Sequence, residues 1–227
     1  MNTIASLIDT GYPVFTLEHR VGDVIRKFAE TGLQTAPVLD GRMYAGMVRR
    51  ADLSEPGTTA QEDGEATLSS IRLAGIPARK RDEHLLDSFL KIADTPDGVV
   101  PVTDENGVYL GVVFKSSLLR HLAGIFHFGE GVATIEIEVP AFGVKLSEVI
   151  AVIEKNDASV VSFGSQNAAI EGEGMILLFR IVTHDLFRLV KNLEKYGYAL
   201  RYSSSYSDTG YDELREKALE FIRYIDM

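Results

Sequence analysis

The sequence predicts an α+β protein in two parts, and three observations predict it. A helix–strand–turn–strand unit occurs twice within residues 1–124, a βαββαβ order of elements fills 131–203, and the composition is that of an ordinary globular chain. Of the 227 residues, 45% are apolar and 25% charged, enough to bury cores without cross-links.

In the first copy of the repeat, Val21, Val24, Ile25 and Phe28 follow helical spacing, and Gly32 ends the helix. Thr35-Ala36-Pro37-Val38-Leu39 is a short apolar strand, Asp40-Gly41 a turn, and Tyr44-Ala45-Gly46-Met47-Val48 the returning strand. The order recurs about 65 residues on, a period that marks a duplicated supersecondary unit. Leu85, Leu86, Phe89 and Ile92 form the second helical stripe, with Asp82 as its N-cap. Val99-Val100-Pro101-Val102, Asp104-Glu105-Asn106-Gly107 and Tyr109-Leu110-Gly111-Val112-Val113 then answer the first strand, turn and strand. The units are read as 1–53 and 73–124, joined by an acidic linker over 54–72. Its stretch 54–65 carries no Lys or Arg and little that can be buried.

Beyond residue 131 the pattern changes. Ala133-Thr134-Ile135-Glu136-Ile137-Glu138-Val139 alternates as a half-buried strand does. Leu146, Val149, Ile150 and Ile153 mark a helix, 158–163 and 174–182 two strands, Leu186, Leu189, Val190 and Leu193 a second helix, and 197–202 a last strand. That order is the ferredoxin-like one. Residues 211–226 place Leu214, Ala218, Phe221, Ile222 and Ile225 on one face of an amphipathic helix.

Composition excludes several functions. A net charge of −10 with scattered cations argues against nucleic acid as a partner. No stretch resembles a signal peptide or a membrane span, so a cytoplasmic protein with no membrane partner is expected. With no cysteine there is no thiolate chemistry. His19, His84, His121, His127 and His184 have no ligand spacing, so no metal is expected. Ser88-Phe89-Leu90-Lys91 lies in an ordinary helix, and no nucleophile–base constellation appears, so no enzyme is expected.

Two motifs carry a resemblance. Pro37-Val38-Leu39-Asp40 with Gly46-Met47-Val48-Arg49-Arg50-Ala51-Asp52, and Pro101-Val102-Thr103-Asp104 with Gly111-Val112-Val113-Phe114-Lys115-Ser116-Ser117, are similar to the CBS-domain unit, here as a tandem pair. The region 131–203 resembles an ACT domain, so the whole chain is similar to acetoin-utilisation-type CBS-ACT proteins. In that family the acid closing the second motif, Asp52 here, holds ribose hydroxyls, a task that suits a carboxylate's paired acceptors. The simpler reading of Asp52 is a helix N-cap. Arg49, Arg50 and Lys115 can offer cations to a phosphate, and the simpler reading of Arg49 and Arg50 is solvated strand-end charges or ion-pair partners. The candidate set is Thr35, Arg49, Arg50, Asp52, Lys115 and Ser117. Arg49 and Phe114 stand where Ser or Thr is usual, and Ser117 replaces the second acid.

The resemblance implies a regulatory protein sensing an adenine-nucleotide-like ligand (AMP, ATP or S-adenosylmethionine), with no fixed cofactor. The ACT-like part serves as a second sensor or a dimerisation module. The alternative is a ligand-free scaffold with degenerate clefts. Both readings expect a homodimer through the CBS and ACT-like faces. In the ACT-like part, Pro140-Ala141-Phe142-Gly143 sits where amino-acid-binding relatives carry a charged loop, and reads as a structural turn.

Overall fold

A computed structural model describes residues 2–53, 66–140, 145–167 and 174–204. The linker stretch 54–65, the loop 141–144 and the tail helix expected at 211–226 lie outside the described residues. The chain forms two compact units, residues 1–121 and 122–227.

The first unit is built twice over. Its first half runs β1 (Phe15–Thr16), α1 (Val21–Thr31), β2 (Thr35–Asp40), β3 (Met43–Arg49) and the short α2 (Arg50–Leu53). The second half repeats this as β4 (Arg79–Lys80), α3 (Leu85–Ala93), β5 (Val99–Thr103), β6 (Tyr109–Phe114) and α4 (Lys115–Ile125). Each half holds a three-stranded sheet, β1-β2-β3 or β4-β5-β6, with one parallel and one antiparallel pairing.

Local chemistry explains these elements. Val21, Val24 and Phe28 bury one face of α1, while Gly32 (φ 72°) adopts the left-handed turn and donates its N–H to the Phe28 carbonyl. The turn after β2 uses Gly41 at φ 59°. On α3 the structure corrects two sequence expectations. The N-cap is His84, whose Nδ1 accepts the Leu86 N–H at 3.3 Å, because α3 begins at Leu85 and leaves Asp82 outside. Leu86 is exposed, and Leu85, Ser88 and Ile92 form the buried face.

The two halves exchange segments. Residues 2–9 leave their own half and pair with the second: Ile4 N–H donates to the Glu83 carbonyl at 3.0 Å, and Asp9 and Val112 exchange N–H···O bonds at 2.8 and 3.0 Å. Residues 66–74 do the same for the first half, through Leu68 N–H to His19 O at 3.0 Å and the Met47–Ala74 pair at 3.0 and 2.8 Å. Each segment carries a 3-10 turn, Ile4–Leu7 and Leu68–Ser70, and each buries one large apolar residue fully, Ile4 or Leu68. Leu68 joins Phe15, Val21, Val24 and Phe28 in the first half's core. The end of the stretch read as acidic linker is thus a packed part of the repeat.

The second unit runs β7 (Ala133–Val139), α5 (Leu146–Glu154), β8 (Ala158–Asn167), β9 (Met175–Thr183), α6 (Leu186–Lys195) and β10 (Ala199–Ser203). The sheet is antiparallel throughout, in the order β10-β7-β9-β8, which is ferredoxin-like topology. Alternation along β7 sends Ile135, Ile137 and Val139 into the core, where Phe179, Val149, Ile153 and Leu189 meet them. Asp185 caps α6 by accepting the Arg188 N–H at 2.8 Å. The fold class is therefore α+β, as the sequence predicts.

Candidate functional site

The site rests on two glycines. Gly46 in β3 (φ 156°) and Gly111 in β6 (φ 148°) lie where an added Cβ would meet Leu73 Cβ at 2.8 Å and the Asp9 carbonyl oxygen at 2.5 Å. Only glycine lets the exchanged segments approach the strands so closely. The bridge between Met47 and Ala74 then fixes 71–77 beside the end of β3, where Arg49 and the following Asp52 stand.

That placement opens a cleft of about 850 Å³ within the first unit. One wall is Arg49 and Asp52, a second is 71–77, and a third is the end of α3 with the loop to Pro96. Its charged groups are Arg49, Arg72 and Lys91, with Asp52 and Asp94, set among apolar residues. Arg49 Nε donates to Asp97 Oδ2 at 2.7 Å, both side chains being mostly buried at 29% and 21% exposure. This ion pair ties the first half to the second. Arg72 and Lys91 are exposed and form no ion pair among the described residues.

The six sequence candidates separate. Arg49 and Asp52 share the cleft. Asp52 lies inside the single turn of α2, which begins at Arg50, so it is not the N-cap. Thr35 is buried, its Oγ1 donating to Val48 O at 3.2 Å, and it does not line the cleft. Arg50 is exposed outside the lining, its N–H donating to Gln34 O. Lys115 and Ser117 open α4, at the second half's counterparts of Arg50 and Asp52, and belong elsewhere. Sequence reasoning missed Arg72, Lys91 and Asp94. Arg72 sat in the presumed linker, Lys91 in a stretch read as an ordinary helix, and Asp94 carries no motif of its own.

At the counterpart position in the second half the chemistry differs. Phe114 occupies the place of Arg49, and the ring of Tyr12 meets it edge-on, centroids 5.4 Å apart at 75°. The Tyr12 hydroxyl donates to the Thr35 carbonyl at 2.7 Å. Burial, and secondarily the nearby Asp97 carboxylate, raise the Tyr12 phenol above its ordinary range. Between the sheets Met47, Ile76, Val99 and Val112 form an apolar seam, and Tyr44 donates from its hydroxyl to Ile76 O at 2.8 Å. The Tyr109 hydroxyl is buried there without a hydrogen-bond partner among the described residues, and burial raises its phenol.

Among the described residues no cluster of His, Asp or Glu could hold a metal, and no helix is long and apolar enough to cross a membrane. The Pro140–Gly143 loop of the second unit falls largely on residues outside the description.

No protein-family model matches the chain, and no curated protein matches it. Solved structures similar to it are CBS-pair proteins. CBSX2 from Arabidopsis thaliana is 16% identical with a TM-score of 0.47, over 54% of this chain and 95% of that one. A CBS domain pair/ACT domain protein from Thermotoga maritima is 15% identical with a TM-score of 0.46, over 54% and 97%. CbpB in complex with c-di-AMP is 19% identical with a TM-score of 0.49, over 56% and 87%.

Proposed function

We propose that residues 1–121 are a CBS-type sensor, and that the cleft of Arg49, Asp52, Arg72 and Lys91 takes an adenine-nucleotide-like ligand. The observation that carries this is the meeting in one cleft of a half-buried carboxylate, uncommitted to any hydrogen bond among the described residues, with three cations. A carboxylate accepts two hydrogen bonds from a vicinal diol, and guanidinium and ammonium groups bind phosphate. The Arg49–Asp97 pair supplies the means of regulation. A ligand phosphate competes with Asp97 for Arg49, so binding changes the contact between the two halves. A ligand shifts a conformational equilibrium only through such differential contacts. The role is regulatory rather than enzymatic, in a cytoplasmic homodimer, with the ferredoxin-like unit as an ACT-like second sensor or dimerisation module.

The alternative, a ligand-free scaffold, draws support from Phe114 and Ser117 in the second half. Both readings are tested by titrating AMP, ATP, c-di-AMP and S-adenosylmethionine in a thermal-shift assay. Binding at a hundred times the dissociation constant adds about 2.7 kcal/mol of stability, which for a chain of this size raises the melting point by about 5–10 °C. No shift with any of the four favours the scaffold.

A further inference from the structure

The two halves of the first unit correspond element by element, with one extra residue between Asp9 and Tyr12, so their differences can be read. Pro77 answers Pro13, and the residues before them, Ile76 and Tyr12, answer each other. Ala74 answers Asp9, since these bridge to the matched Met47 and Val112. Leu73 answers Ile8, the side chains that crowd Gly46 and Gly111. The residue before Leu73 is Arg72, whereas the residue before Ile8 is the apolar Leu7, so the N-terminal segment brings no cation there. Arg49 and Asp52 answer Phe114 and Ser117, while Lys91 and Asp94 answer Lys27 and Glu30.

We propose that the chain offers one ligand cleft and closes the other with its own side chain. The ring of Tyr12, seated on Phe114, fills the place where a planar ligand would lie in the pseudo-equivalent cleft. What the open cleft binds rests on the sensor reading above; the closure itself does not.

Three differences act together. A Tyr replaces Ile76, and an aromatic edge-to-face pair replaces a residue that carries charge in the open cleft. The Tyr12 hydroxyl is satisfied by the Thr35 carbonyl, so the ring can stay in place without an unpaired polar group. The charges are also reversed. The open cleft holds Arg49, Arg72 and Lys91 against Asp52 and Asp94. Its counterpart holds Lys27, already 3.9 Å from Glu30, and adds Asp9 where the open cleft has Ala74. A phosphate would meet three cations in one cleft and a single paired lysine in the other.

The test uses the full chain and two probes. Phenol is the part of the side chain that Tyr12→Ala removes, and a cavity left in a packed site binds such a molecule. At ten times its dissociation constant it should raise the melting point of Tyr12→Ala by about 3–5 °C and leave the native protein unmoved. Should Tyr12→Ala not fold, Tyr12→Val provides the smaller excision. Equal effects on variant and native protein overturn the closure. In calorimetric titration, ATP should bind the native protein once per chain, and Arg72→Ala should weaken that binding about tenfold. Two ATP sites per native chain also overturn the proposal. Selective rescue by phenol with no ATP binding leaves the closure standing and defeats the nucleotide reading instead.

Discussion

Gly111 has no room for a side chain: a methyl group would lie 2.5 Å from the Asp9 carbonyl, on a backbone at φ 148°. Gly111→Ala should therefore cost at least about 2 kcal/mol in urea denaturation. Gly124 in α4 has no neighbour within 4 Å of an added Cβ among the described residues, and Gly124→Ala should be neutral or stabilise by up to about 1 kcal/mol. Equal costs at both sites would remove the close-approach argument. Asp97 is a second residue-scale test, because it occupies Arg49. Asp97→Asn should cost about 1 kcal/mol or less of stability, as a partly exposed pair does, while tightening ATP binding about three- to tenfold. Weaker binding would mean that Asp97 holds Arg49 in its binding position rather than competing for it. Arg49 and Asp52 were legible in the sequence because they sit in a motif whose spacing fixes them at the end of a strand. Arg72 and Lys91 were not, because their role comes from how a neighbouring segment and the other half fold around that strand.

At the scale of elements, the repeat was readable because strand, turn and helix patterns are local, and Pro37/Pro101 and Gly46/Gly111 stand in register. The ferredoxin-like sheet was readable for the same reason, from alternation in β7 and the stripes of α5 and α6. The exchanged segments were not. Thr67-Leu68-Ser69-Ser70 has one large apolar residue and no period, so nothing local marks it as core. Its burial comes from partners in α1 and β1, far along the chain. Leu68→Ala and Ile4→Ala, both fully buried in equivalent 3-10 turns, should each cost about 2–4 kcal/mol in urea denaturation. A cost below about 1 kcal/mol at Leu68 would show that the segment is a detachable linker after all.

At the scale of the molecule, the cleft gains meaning only if occupancy is communicated. A homodimer is the proposed route, and the first unit offers apolar side chains for one: Leu86, Leu90 and Leu119 are 48%, 69% and 58% exposed. Light scattering at low micromolar concentration should give twice the 25.0 kDa chain mass, and a monomer mass would contradict the proposal. The central claim is that the cleft of Asp52 binds a nucleotide, and calorimetric titration of ATP into native protein and Asp52→Ala tests it most directly. The account predicts one site per native chain, an affinity lowered about tenfold or more in the variant, and unliganded melting points within about 1–2 °C, since Asp52 has no hydrogen bond to lose among the described residues. Unchanged ATP affinity in Asp52→Ala, or no binding to the native protein, would contradict it.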